Sequence, residues 1–146
     1  MTEIKFHFNV ADSIDYACRL LRKATRHGAT VVVTGPLPVL SNLDRALWAF
    51  EPVEFLPHVL LQPGHAVAQR LRGTRLWLSE DPAASGHHDV LVHLGPGAEQ
   101  APAGFESFAR VIEIVSTDSE DRAAARVRWK HYAGRGYAIE RHEVAA

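Results

Sequence analysis

Strand-like and helix-like segments alternate along this chain from its first residues. Residues 4–10 alternate apolar and polar side chains with a period of two, as a strand does. Apolar residues at helical spacing follow over residues 14–27, and Gly28 ends that segment. The run Thr30-Val-Val-Val-Thr34 is typical of a strand buried on both faces. This order favours parallel strands that are joined by helices.

Similar segments fill the rest of the chain. Ser41 is expected to cap a second helix that runs to about residue 50, and Asp118 or Ser119 a last helix that ends at Gly134-Arg-Gly136. Further strands are predicted at residues 74–78, 89–94, 110–115 and 137–142, with exposed loops at 62–73 and 80–86. We therefore predict one α/β domain over residues 1–146, a three-layer Rossmann-like fold with a largely parallel central sheet.

Charge and composition narrow the classes of function. The formal net charge is −1 over 146 residues, whereas a general polyanion binder is usually far more basic, so we expect no tight direct binding to DNA. The single cysteine, Cys18, excludes an internal disulfide. The sequence has neither a signal peptide nor an apolar run long enough to span a membrane, which favours a cytoplasmic location.

Metal and nucleotide sites are weakly supported. His87 and His88 with His93 form the densest histidine group, but adjacent histidines on a strand point to opposite faces, which favours solvated loop histidines over metal ligands. The turns at Gly35-Pro and Gly95-Pro-Gly97 match no phosphate-binding motif, and proline removes N–H donors that a phosphate would need. We expect no cofactor and no metal.

Nucleophilic catalysis is no better supported. Cys18 belongs to the inward stripe of the first helix, where a thiol behaves as a small hydrophobic side chain. The chain has no Gly-x-Ser-x-Gly motif. No catalytic residue is predicted, although a small α/β nucleotide-binding enzyme remains an alternative.

The last predicted helix carries the most promising binding feature. Arg122, Arg126 and Lys130 are spaced by four, which places three cations along one helical face. Trp129 stands beside them, and Val115 ends the preceding apolar strand. This set suits a short acidic peptide with an aromatic end, although a solvated basic face is the simpler interpretation.

A second candidate surface is aromatic. Trp48 and Phe55 lie at and just after the end of the second helix. If both are exposed, they form a patch of the kind that marks a protein interface; otherwise they cover the edge of the core.

The order of these segments resembles a known family, the chi subunit of bacterial DNA polymerase III, an accessory protein of the clamp loader. The residues that carry the resemblance are Phe6, Leu43-Asp-Arg-Ala-Leu-Trp48, Phe55-Leu-Pro-His58, His88-Asp-Val-Leu-Val92, Arg126-Val-Arg-Trp-Lys-His-Tyr132 and Gly136-Tyr137. They span nearly the whole chain. Residues 62–86 depart from the family pattern.

The resemblance implies a non-catalytic adaptor that holds the acidic, phenylalanine-ended C-terminal tail of single-stranded DNA-binding protein and links it to the psi subunit. By position, the tail site comprises Val115, Arg122, Arg126, Trp129 and Lys130, and the psi-facing patch includes Trp48 and Phe55. Trp129 stands where the family commonly has tyrosine. A repair helicase in place of psi is the alternative partner, and an adaptor of this kind is expected to be a monomer when isolated.

Overall fold

A single sheet of seven parallel strands organises the computed structural model, which describes residues 1–49, 56–62 and 71–144. Its strand order is β3-β4-β2-β5-β6-β1-β7, and every pairing is parallel. The strands are β1 Glu3–Val10, β2 Val31–Thr34, β3 Val59–Leu60, β4 Leu76–Leu78, β5 Val90–His93, β6 Arg110–Ser116 and β7 Ile139–Glu143. The predicted α/β class is confirmed.

Helices cover both faces of this sheet. The helices are α1 Ser13–Arg26, α2 Leu37–Ala49 and α3 Ser119–Gly134. Val31 and Val33 belong to the core cluster that contains the buried residues of α1 and α2. Val32 belongs to a second cluster, which contains Ala125 and Tyr132 of α3. Because alternate side chains of β2 enter different clusters, the domain has the predicted three layers, with α1 and α2 on one side and α3 on the other.

The second helix begins earlier than predicted. It starts at Leu37 rather than after Ser41, so Pro38 lies in its first turn. The first turn tolerates proline because its N–H groups have no partner within the helix. The carbonyl of Pro36 accepts hydrogen bonds from the N–H groups of Val39 and Leu40, which closes this turn.

Two further predictions need correction in the middle of the chain. Strand β3 was missed, since its two residues are too few to show a period. The predicted exposed loop at 80–86 contains a 3-10 helix, Pro82–Ser85, in which Pro82 and Ser85 are buried. Residues 63–70 of the other predicted loop lie outside the described residues, whereas Gln62 and residues 71–73 are exposed as expected.

The last part of the chain forms α3 and the edge strand β7. The side chain of Asp118 caps α3 by accepting a hydrogen bond from the N–H of Glu120 at 2.8 Å, as predicted. The closing strand begins at Ile139 rather than at Tyr137 and pairs with β1 at the edge of the sheet. Strand β1 therefore lies between β6 and β7. None of the helices in the described part of the chain is long and apolar enough to cross a membrane.

Candidate functional site

A cavity of about 410 Å³ opens between α3 and the strands β1 and β7. Its apolar side chains come from three strands or helices, and three arginines complete the lining. The lining residues are Phe6, Phe8, Val115, Arg122, Ala125, Arg126, Trp129 and Arg141. A cavity that combines aromatic rings with guanidinium groups suits a ligand that is both apolar and negatively charged.

Four of the five residues predicted for one binding site meet in this cavity: Val115, Arg122, Arg126 and Trp129. Val115 is buried at the end of β6, while Arg122 and Arg126 are exposed, one turn apart on α3. The ring of the half-buried Trp129 packs against Phe6, with 5.0 Å between their centroids. The sequence spacing therefore places these side chains correctly relative to one another.

Lys130, the fifth predicted residue, is exposed on α3 but does not line the cavity. Successive residues of an α-helix turn by about 100°, so Trp129 lies roughly 20° from Arg122 around the axis and Lys130 roughly 80° from it. In a series of residues spaced by four, each successive side chain is rotated further around the helix, so the third one, Lys130, no longer faces the cavity.

Arg141 of β7 also lines the cavity and was not among the residues predicted from the sequence. In the parallel pairing of β1 with β7, Arg141 is the partner of Phe6. Its guanidinium carbon lies 5.0 Å from the centroid of the Phe8 ring and 5.9 Å from that of the Trp129 ring, which are distances of cation–π contacts. The alternation of side chains along the last strand indicates which face Arg141 occupies, but only the strand order shows which aromatic rings Arg141 contacts.

A buried polar network fixes the opposite side of α3. Glu113 of β6 and Arg128 of α3 are fully buried, and Arg128 Nε donates to Glu113 Oε1 at 3.1 Å. Tyr132 Oη donates to Glu113 Oε2 at 2.8 Å, and His93 Nδ1 lies 2.7 Å from Glu113 Oε1. Arg128 also donates to the carbonyl of Ala98, which ties in the loop after β5.

The network shifts the pKa values of Glu113 and Tyr132. Burial alone would raise the pKa of Glu113, but His93, Arg128 and the Tyr132 hydroxyl together lower it. Burial, with the Glu113 charge, raises the pKa of Tyr132. Glu113 is therefore an ionised carboxylate within the core, stabilised by His93, Arg128 and the Tyr132 hydroxyl.

The predicted histidine and glycine features find structural explanations. His93 is buried in this network, so its assignment to solvated loops was wrong. Within the described ranges, no group of three or more His, Cys, Asp or Glu side chains could hold a metal ion. At Gly35 a Cβ atom would lie 2.2 Å from the carbonyl oxygen of Leu94, and at Gly95 one would lie 2.4 Å from the His93 ring. Both glycines thus permit close packing.

The aromatic candidate surface lies on the other side of the sheet. Trp48 of α2 is 58% exposed, and its ring centroid lies 4.9 Å from that of His58. His58 Nε2 in turn lies 3.0 Å from Asp44 Oδ1. Trp48 is therefore a surface residue and does not cover the core edge. Phe55, its predicted companion, lies outside the described residues.

Comparison with known proteins agrees with this architecture. The family model described as "DNA polymerase III chi subunit, HolC" matches residues 1–140. The chain belongs to this chi subunit family. Among its relatives, the DNA polymerase III subunit chi of Pseudomonas aeruginosa is 30% identical over 149 residues, covering 99% of this chain and 98% of that protein. The subunit chi of Haemophilus influenzae is 26% identical over 131 residues, covering 89% and 86% respectively.

Membership in the chi family confirms the resemblance inferred from the sequence and supports a role in DNA replication as an accessory subunit of DNA polymerase III. The cavity beside α3 and the exposed Trp48 lie on opposite sides of the sheet.

Proposed function

We propose that this chain is a non-catalytic adaptor of the polymerase III clamp loader in the bacterial replisome. Its α3 cavity binds the acidic C-terminal tail of single-stranded DNA-binding protein. The observation that carries this proposal is the joining of an aromatic recess to three arginines in one cavity. The tail that the family resemblance implies has the matching parts, namely acidic residues followed by proline and a terminal phenylalanine.

The recess suits the terminal phenylalanine of that tail. Phe6, Val115 and Trp129 offer apolar surface for a phenyl ring, whose burial releases water from both partners. The arginines beside the recess can pair with carboxylates through two parallel hydrogen bonds. Arg122 lies farthest along α3 toward its N-terminus and is suited to the upstream acidic residues, where it mainly assists encounter.

The second surface is proposed to contact the psi subunit. Trp48 is exposed on α2, and an exposed tryptophan is an anchor residue typical of protein interfaces. Phe55 follows shortly afterwards in the sequence, and its part in the same patch remains a prediction from the sequence. A repair helicase is the alternative occupant, and co-purification from cells distinguishes the two.

Titration calorimetry with a synthetic acidic peptide ending in Pro-Phe tests the tail site. We expect binding that weakens with added salt and falls sharply when the terminal phenylalanine is omitted. Arg126→Ala should reduce the binding free energy by about 1–3 kcal/mol, since it removes one partner of a charge-assisted pair. Lys130→Ala is the matched control, because Lys130 belongs to the same helix but stands outside the cavity lining.

Two results would contradict the proposed tail site. One is unchanged affinity in Arg126→Ala. The other is equal affinity for the peptides with and without the terminal phenylalanine, which would mean that the aromatic recess is not used. Equal losses in Arg126→Ala and Lys130→Ala would indicate nonspecific attraction to a basic helix.

A further inference from the structure

We infer that Arg141 is the residue that pairs with the terminal carboxylate of the bound peptide. This inference rests on the proposed function, because it assigns a role within the same cavity. It concerns a side chain from the edge strand rather than from the helix that carries the other two arginines.

The strand register brings Arg141 to the apolar part of the cavity. Paired residues of neighbouring strands point to the same face, so Arg141 shares its face with Phe6. Phe8 follows Phe6 by two residues along β1 and also lines the cavity. The guanidinium of Arg141 accordingly stands over the rings of Phe8 and Trp129, at 5.0 Å and 5.9 Å from their centroids.

The chemistry of a C-terminal aromatic residue requires a cation at this place. Such a residue carries its free carboxylate on the same Cα atom as its ring-bearing side chain. If the phenyl ring of this residue enters the recess, the carboxylate of the same residue must lie beside the recess. Among the described residues of the cavity, Arg141 is the arginine whose guanidinium is seen held over the aromatic rings.

The same contacts prepare Arg141 for binding. An arginine that stacks on two rings has already lost much of its side-chain freedom, so less entropy is lost when it forms a bidentate pair. A guanidinium carries five N–H donors in its plane, so contacts with the faces of the rings leave donors for a carboxylate. The peptide then runs from Arg141, at its C-terminal end, toward Arg126 and Arg122 on α3, which meet its upstream acidic residues.

This arrangement predicts selectivity for a free chain end. An internal Asp-Pro-Phe segment has an amide in place of the carboxylate and cannot form the pair with Arg141. The site would therefore recognise the end of a protein chain and reject the same residues within a chain.

The test is a cycle of two peptides and three forms of the full chain. The acidic Pro-Phe peptide is prepared with a free C-terminal carboxylate and with a C-terminal amide. Calorimetry at low salt measures both against the natural chain, Arg141→Gln and Arg126→Gln. We expect amidation to weaken binding roughly tenfold in the natural chain and in Arg126→Gln, but less than about twofold in Arg141→Gln.

A second variant and a stability measurement distinguish carboxylate binding by Arg141 from a purely structural role of this residue. Arg141→Lys keeps the charge but loses the planar fork, so we expect a penalty for amidation between those of the natural chain and Arg141→Gln. The melting temperatures of the Arg141 variants should lie within about 5 °C of that of the natural chain, because Arg141 is exposed on an edge strand and loses only its contacts with the Phe8 and Trp129 rings.

The possible failures are distinguishable. If amidation weakens binding to Arg141→Gln as much as binding to the natural chain, the inference is overturned. If amidation no longer weakens binding to Arg126→Gln, the terminal carboxylate pairs with Arg126 instead. Both results leave the proposed function standing. If the natural chain binds neither peptide, the proposed function fails and the inference falls with it.

Discussion

At the scale of single residues, His7 is a buried histidine beside a second histidine. Its side chain is buried on β1 and contacts the hydroxyl of Tyr16 through Nδ1. Its ring centroid lies 4.9 Å from that of His142 on the neighbouring strand. Burial, followed by the charges of His142 and Lys5, lowers the pKa of His7 from 6.5 to about 4.

This shift predicts how stability depends on pH. Between pH 6.5 and about 4 the unfolded chain binds a proton at His7 that the folded chain does not, so stability falls as the pH falls through this range. We expect His7→Gln to flatten this part of the profile by roughly 1–3 kcal/mol in denaturant titrations at pH 7 and pH 4. A variant that keeps the full loss of stability would show that other groups cause it.

The residue scale also shows how far sequence spacing predicts a site. Arg122, Arg126 and Trp129 share a helix, and helical geometry alone brings them to one side. Arg141 comes from a different strand, and its place beside Phe8 depends on β7 pairing with β1. No periodicity within the strand contains that information, so Arg141 could not be selected from the sequence.

At the scale of secondary-structure elements, α3 is held against the sheet by the buried Glu113 carboxylate of β6. Its exposed side carries the cavity arginines, while Arg128 and Tyr132 on its buried side both reach Glu113. A helix attached in this way has one rotational setting relative to β6. The network therefore stabilises the orientation in which Arg126 and Trp129 line the cavity.

Breaking this network should be costly. In Glu113→Gln the Arg128 guanidinium stays buried without its counter-charge, and we expect the free energy of unfolding to fall by about 3–5 kcal/mol. Denaturant unfolding measures this loss. The matched control is Glu140→Gln, because the exposed Glu140 forms a surface ion pair with Lys5 at 3.4 Å, whose loss should cost under about 1 kcal/mol. Equal losses in both variants would contradict a structural role for the buried carboxylate.

The order of the elements was largely predictable, but not their ends. The β-branched run of β2 and the amphipathic stripe of α1 are local patterns that specify their own structure. The predicted start of α2 was wrong because Pro38 indicated the end of regular structure, as proline does inside a helix. Proline is tolerated in the first turn, where Pro38 lies. The strand β3 forms only because β4 provides its partner.

At the scale of the whole molecule, the sheet separates two surfaces. The cavity lies on the side of α3, and Trp48 lies on the side of α1 and α2. With the core of the sheet between them, a partner on one surface does not obstruct a partner on the other. This arrangement supports the adaptor role that we propose.

The two surfaces should therefore fail independently. We expect Trp48→Ala to leave binding of the acidic Pro-Phe peptide unchanged while it weakens association with psi, or with a helicase where that is the partner, by at least about 2 kcal/mol. Calorimetry measures the first and co-purification of the full chain the second. Loss of both activities together, with a lowered melting temperature, would contradict two separable surfaces.

The sequence by itself determined the α/β class, the order of the strands and helices apart from β3, the family, and the set of Val115, Arg122, Arg126 and Trp129. These follow from local periodicity, or from motifs that are contiguous along the chain. The tertiary structure decided that Lys130 stays outside the cavity, that Arg141 enters it, and that His93 joins Glu113 and Arg128 in the core. The physical reason is that strand order and helix rotation are set by packing between distant segments, and those contacts leave no periodic trace in any one of them.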